Sequence, residues 1–426
     1  MAKTKIADLQ GGIGPKGDKG IQGDPGVNAV ENATAVAAYI DTPGNATHDI
    51  MKSKFARRSY TTLSDDIFGM YKLTNFAAAV AEVRAGTRDA KILCIGDSTT
   101  TGIGSSAVGT YPQQKAWPAR LADRLNKYSV ASAQGLAVPK PSPSSQPSDN
   151  RWTLGTGWSQ LDQEMGFGGS SGNYTAGVGS GNLQFNDPGI LADRFDIYYT
   201  VNTTTGGGTF TASATGGTEV VVPTGLQSVR EIRMVTVQAP ATSTTNVVSI
   251  RNSGGSGDIF IVGIEPWKVG SPRKVRVGNA GMSGTSSGGW VRSNAGETGW
   301  NAIGGIKAYD PDLTIIDLGI NDAGLSISVA TFIANIQQLV DAALSVGSDI
   351  LIKTMVPSQS AGSVTYEDQY VPALRNMGYA WVDGYTHYGP WSKADADGLM
   401  SDSVHPNDAG YSDIGDFLFA AISSAI

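Results

Sequence analysis

The chain has 426 residues, 40% of them hydrophobic, which is enough for two or three domains with cores of their own. A formal charge of -7 with no basic stripe argues against a nucleic-acid partner, and no apolar run approaches the length of a membrane span, so no membrane insertion is expected. One cysteine excludes an intramolecular disulfide, and 55 glycines are an unusual number.

In chain order, the first signal is an absence: no apolar h-region follows Met1-Ala2-Lys3, so nothing directs the protein through the usual secretion route. Glycine then recurs at positions 11, 14, 17, 20, 23 and 26, through Gly14-Pro15-Lys16-Gly17-Asp18-Lys19-Gly20. Only glycine fits at the axis of three wound polyproline-type chains, so this period predicts a collagen-like stem over residues 1–27 and a homotrimer, with a flexible linker as the alternative. Residues 28–88 read as a helical adapter, with an alanine-rich stretch at 33–39, a break at Asp41-Thr42-Pro43-Gly44 and a basic stretch at 52–58.

The run Lys91-Ile92-Leu93-Cys94-Ile95 predicts a buried parallel strand, with Cys94 as a small core residue. It leads into Gly96-Asp97-Ser98 and a glycine-rich loop, which places the Ser98 hydroxyl at the carboxyl end of a strand, where open α/β sheets put ligands. Residues 139–272 begin with a Pro/Ser-rich boundary and continue as short alternating segments at 195–201, 208–212, 231–237, 246–250 and 259–264, the spacing of a β-sandwich. Gly206-Gly207-Gly208 lacks the Gly-Lys-Ser/Thr ending of a phosphate loop and reads as a hairpin. Trp152, Trp158 and Trp267 either stack on sugar faces or fill the core of that insertion. Beyond it come a glycine block, Val277-Gly278-Asn279-Ala280-Gly281-Met282-Ser283-Gly284-Thr285, then Asp317-Leu318-Gly319-Ile320-Asn321-Asp322, and near the end Asp402-Ser403-Val404-His405-Pro406.

Asp402 and His405 are three residues apart, so one turn or tight loop lets the carboxylate reach Nδ1 and leaves Nε2 to face a serine. Serine, base and carboxylate are what acyl transfer needs, together with donors aimed at the oxygen that becomes negative. Of three histidines, His48 lies in the polar adapter and His387, in Tyr385-Thr386-His387-Tyr388, suits packing or substrate contact, which leaves His405 as the candidate base.

These four blocks, in this order, resemble the SGNH/GDSL hydrolase family over residues 89–138 and 273–426. The resemblance implies a three-layer α/β/α domain with a parallel sheet, the triad Ser98, Asp402 and His405, and an oxyanion hole made by the Ser98 N-H, the Gly284 N-H (Gly281 as alternative) and the Asn321 side chain. It implies neither a metal nor an organic cofactor. Residues 114–125, with Trp117-Pro118, match the family's helix after the nucleophile, and Thr99 stands where the family usually has leucine. The insertion at 139–272 resembles the jelly-roll-like, carbohydrate-binding domains inserted in some members.

Collagen-like tip, missing signal peptide and appended hydrolase together resemble bacteriophage tail fibres and tailspikes. That resemblance implies a virion protein contacting other phage tail proteins through its N-terminal region and acting outside the host. The implied activity is a serine esterase that removes acyl groups, acetyl first, from a host surface polysaccharide. Alternatives are lipid or peptidoglycan-linked esters, a receptor-binding fibre without turnover, and a secreted bacterial surface esterase.

Overall fold

The computed structural model describes residues 66–426, except 108–111, 140–149, 162–165, 168–172, 187–191, 204–206, 226, 241–245, 256, 292–299 and 360–365. The glycine repeat, the adapter up to residue 65 with His48, and the Pro/Ser-rich boundary at 140–149 lie outside the described residues.

Three strands come first: β1 (Ile67–Phe68), β2 (Ala90–Gly96) and β3 (Ser132–Gln134). Ten follow in the insertion: β4 (Trp152–Leu154), β5 (Trp158–Leu161), β6 (Asn173–Ala176), β7 (Leu183–Phe185), β8 (Arg194–Val201), β9 (Gly208–Ala214), β10 (Val220–Pro223), β11 (Glu231–Gln238), β12 (Val248–Gly255) and β13 (Ile259–Trp267). The chain then returns with β14 (Val275–Asn279), β15 (Leu313–Asp317), β16 (Asp349–Lys353) and β17 (Ala380–Val382).

One sheet has the order β1-β17-β16-β15-β2-β14-β3 and is parallel except for the short antiparallel edge β1. Successive side chains on a strand point to opposite faces, and a parallel sheet is stable only with both faces covered. The sequence obeys this residue by residue. Ile92 and Cys94 of β2, Leu313 and Ile315 of β15, and Leu351 of β16 enter one core with helices Thr74–Ala85, Trp117–Tyr128 and Asp408–Ser423. Leu93, Ile95, Ile316, Ile350 and Ile352 enter the other, with helices Ala302–Tyr309 and Val329–Leu344. Cys94 is a buried free thiol in the first core.

The domain reaches further toward the N-terminus than a boundary at 89 allows. Phe76, Ala79, Val80 and Val83 of helix Thr74–Ala85 are buried in the same core as β2, so residues 66–88 are part of the α/β unit and not of a linker. Their helical, alanine-rich composition does not distinguish an adapter helix from one that packs on a sheet.

The insertion forms two five-stranded antiparallel sheets, β10-β9-β12-β7-β4 and β11-β8-β13-β6-β5, whose inner side chains share one apolar cluster. Trp152 and Trp158 belong to that cluster and are buried, so neither offers a face to a sugar. Gly206 lies outside the described residues, but β8 and β9 on either side of the glycine cluster belong to different sheets and so do not pair as a hairpin. Close packing explains the glycine: a Cβ on Gly207 would lie 2.4 Å from the Gly225 Cα. The insertion is sewn to the α/β unit by Ala137 and Ile264, which exchange backbone hydrogen bonds of 2.7 and 2.9 Å, and by Phe167, Tyr198 and Val262 in the core of helix Ala302–Tyr309.

Candidate active site

The site is assembled at the carboxyl ends of β2, β14 and β15. Strand β2 stops at Gly96, where a Cβ would fall 1.9 Å from Thr100 Oγ1, so only glycine permits the tight turn into the short helix Ser98–Thr101. Asp97 caps that helix by accepting from the Thr99 N-H at 2.9 Å. Ser98 is its first residue, so its own N-H precedes the helical ladder, and it has no acceptor among the described residues.

His405 arrives from the loop after helix Trp391–Ala396. Its Nε2 lies 2.9 Å from Ser98 Oγ, and its Nδ1 lies 2.9 Å from Asp402 Oδ2. The Asp402 Oδ1 also accepts from the N-H groups of Val404 and His405, both at 2.7 Å, so the same carboxylate folds the loop and orients the ring. Partial burial pushes the Asp402 carboxyl up, but the hydrogen bonds from His405 and Val404 outweigh it and hold the group below the usual carboxylate range. The three residues proposed from the sequence are therefore linked in series, Ser98 to His405 and His405 to Asp402.

Several groups absent from the sequence reading pin this loop. The Gln359 N-H donates to Ser403 O at 2.7 Å, and Trp391 Nε1 to Asp402 O at 3.3 Å. Asn407 caps helix Asp408–Ser423 and donates from Nδ2 to Gly398 O and Met400 O at 2.9 and 3.1 Å. Gly104, at φ +90°, lets the nucleophile loop approach: a Cβ there would sit 2.8 Å from the His405 Cβ. The glycine spacing around Ser98 was a visible signal for Gly104; Gln359 contributes only backbone and left none.

For the oxyanion donors the two glycines separate. The Gly281 N-H is already given to Asn279 Oδ1 at 2.8 Å, and a Cβ on Gly281 would lie 2.5 Å from Thr101 N, so this glycine serves packing. Gly284 has φ +77° and an N-H with no acceptor among the described residues. Asn321 uses Nδ2 on Thr285 O at 3.1 Å, which employs one of its two amide hydrogens. His387 is placed elsewhere: its ring stacks on Phe417 at 4.0 Å and its Nδ1 lies 3.6 Å from Asp66 Oδ2.

Beneath Ser98 is a buried ionic group made by three neighbouring strand ends. Lys353 Nζ, at the end of β16, lies 2.7 Å from Asp317 Oδ2, at the end of β15, and both side chains are almost fully buried. Thr99 has its hydroxyl 3.0 Å from Asp97 Oδ1 and 3.4 Å from Asp317 Oδ2. Burial first, and the Asp317 charge second, push the Asp97 carboxyl up to about 7, against the hydrogen bonds from Thr99 and the Lys353 charge. Among the described residues no three His, Cys, Asp or Glu side chains cluster as metal ligands, and no helix is long and apolar enough to cross a membrane.

Residues 267–412 match the GDSL-like Lipase/Acylhydrolase family. Among solved structures, a peptidoglycan O-acetylesterase is similar at 15% identity and TM-score 0.60, over 84% of this chain and 98% of that one. A family two carbohydrate esterase from Cellvibrio japonicus is similar at 12% identity and TM-score 0.27, over 68% and 97%. A carbohydrate esterase family 3 protein from Talaromyces cellulolyticus is similar at 19% identity and TM-score 0.27, over 36% and 71%. No curated protein matches in sequence. The chain carries a GDSL/SGNH-type lipase-acylhydrolase domain, with an SGNH hydrolase-like α/β fold built on a parallel sheet.

Proposed function

We propose that the protein is a serine esterase that removes acetyl groups from a cell-surface polysaccharide, and that it does so as part of a bacteriophage tail. The observation that carries the catalytic half is the pair of 2.9 Å contacts that join Ser98, His405 and Asp402. In this reading His405 Nε2 takes the Ser98 proton as Oγ attacks the ester carbonyl, and Asp402 stabilises the imidazolium that forms. The negative oxygen of the tetrahedral intermediate accepts from the N-H groups of Ser98 and Gly284 and from Asn321 Nδ2. Collapse expels the sugar oxygen, which receives the proton back from His405 and leaves acetyl-Ser98. Water, deprotonated by the same imidazole, then releases acetate.

The choice of acetyl is supported by the likeness in fold to a peptidoglycan O-acetylesterase, a likeness that spans both the α/β unit and the insertion. The same neighbour favours a second substrate, acetyl esters on peptidoglycan. The tail assignment rests on the period-three glycines of residues 11–26. Acetate release from O-acetylated surface polysaccharides, from acetylated peptidoglycan and from lipid esters tests the substrate. Release from the polysaccharide is the expected result; turnover of peptidoglycan alone would replace it with the second reading.

A further inference from the structure

A cleft of about 650 Å³ lies on the side of the molecule away from Ser98, between the amino-terminal end of the parallel sheet and the β insertion. Its volume falls within the roughly 300–1,000 Å³ range of small-molecule sites. Six cations line it, Arg84, Arg194, Lys268, Arg273, Lys274 and Arg276, in a chain whose net charge is -7. Four have carboxylate partners: Arg194 with Asp196 at 2.9 Å, Lys268 with Asp193 at 2.7 Å, Arg273 with Asp89 at 3.3 Å, and Arg276 with Glu265 at 3.5 Å. Among the described residues the Arg84 guanidinium meets the Ser129 hydroxyl, at 3.1 Å, and no carboxylate, and the Lys274 ammonium has no carboxylate partner, although the Lys274 backbone N-H donates to Asp89 Oδ1 at 2.7 Å. The cleft is therefore a concave surface with an uncompensated positive charge from two side chains, and its other four cations are paired with carboxylates, three of them buried.

We infer that this cleft is a second, non-catalytic site for an acidic oligosaccharide, whose carboxylates are received by Arg84 and Lys274. The inference rests on the reading of a polysaccharide as substrate. A guanidinium and an ammonium lining one cleft suit carboxylate groups carried on a rigid chain. The indole of Trp267 is covered by guanidiniums, with Arg194 Cζ at 5.2 Å and Arg276 Cζ at 4.1 Å from the ring, so it offers no platform for stacked bases. Placed on the face opposite the nucleophile, the cleft would hold a strand of the polymer without occluding the site, and two contacts on one chain raise the effective concentration of the scissile ester.

Calorimetric titration of the full chain with oligogalacturonate, a neutral malto-oligosaccharide of equal length and a poly-glutamate peptide tests this. The acidic sugar should bind, more weakly as salt rises, and the neutral sugar should not. In the double variant Arg84→Gln, Lys274→Gln its affinity should drop by about tenfold or more, as two charge-assisted contacts are lost. Melting temperature and p-nitrophenyl acetate turnover should be unchanged, because neither side chain holds a buried acid or touches the triad. Absence of binding, equal binding by the double variant, equal binding of the neutral sugar, or tighter binding of the peptide would each overturn the site. Ester turnover is read separately: an active esterase without sugar binding refutes the cleft alone, and sugar binding without turnover refutes the esterase reading.

Discussion

His405 Nε2 lies 2.9 Å from Ser98 Oγ although 307 positions of sequence separate the two residues. His387, only 18 residues before His405, faces instead the apolar ring of Phe417. His405→Ala should therefore lower kcat by at least about a thousandfold with little loss of stability. His387→Ala should retain turnover and lower stability by about 1 kcal/mol through the lost stacking. Steady-state kinetics with p-nitrophenyl acetate and thermal melts of both variants check this; the opposite pattern would reassign the base.

Asn407 fixes the loop that carries His405. Its Oδ1 accepts from Ala409 N at 2.9 Å and Gly410 N at 3.1 Å, and its Nδ2 donates to two carbonyls of the preceding segment. Asn407→Ala should cost about 1–2 kcal/mol as a lost cap. It should also reduce kcat more than it changes KM, since the ring's aim depends on the loop. Denaturant unfolding and kinetics on the same preparation measure the two effects, and an unchanged kcat would mean that Asp402 and Trp391 suffice to hold the loop.

Asp97 supplies a pH dependence with a definite sign. Its carboxyl is raised to about 7 in the fold and is ordinary when unfolded, so between about pH 4 and 7 the native state holds a proton that the unfolded state has lost. Stability from this group therefore falls as pH rises through that window and levels off above it. Asp97→Asn keeps the acceptor for Thr99 and removes the titration, so its stability relative to wild type should increase from pH 4 to pH 8, by on the order of 2 kcal/mol. Chemical denaturation at several pH values would show it; a constant difference would mean that Asp97 is ionised throughout.

Much of the site was legible because each block carried its own chemistry. Gly96-Asp97-Ser98 after an apolar run, and Asp402 three residues before His405, specify a strand end and a tight loop wherever the chain places them. The glycine pair was not resolvable by residue type: Gly281 and Gly284 differ in that Asn279 has taken the Gly281 N-H. The start of the α/β unit is not legible in the sequence for a related reason: burial of Phe76 and Val80 in the core of β2, and no local pattern, shows that helix Thr74–Ala85 lies on the sheet. Lys353 gave a faint signal, a lysine closing the run Ile350-Leu351-Ile352, but its partner Asp317 is on a neighbouring strand that no local spacing identifies. Trp152 and Trp158 alternate with polar residues as surface aromatics would, and burial between two sheets decided against a sugar platform.

The stem predicts an assembly. On the proposed collagen-like reading of the glycines at 11–26, three chains share one axis, so the full chain should be a homotrimer. Residues 66–426 form one compact unit that contains every proposed catalytic group, so a protein lacking residues 1–65 should be monomeric, folded and active on a small ester. Light scattering of both forms decides; a full-length monomer or a truncated trimer would remove the stem from the account.

The central claim is that Ser98 is the nucleophile of an esterase, and turnover of p-nitrophenyl acetate by wild type, Ser98→Ala and Asn321→Ala tests it most directly. Ser98→Ala should remain folded and lose at least about a thousandfold in kcat, and Asn321→Ala should lose about a hundred- to a thousandfold as one oxyanion donor disappears. Turnover by Ser98→Ala equal to that of wild type would contradict the claim.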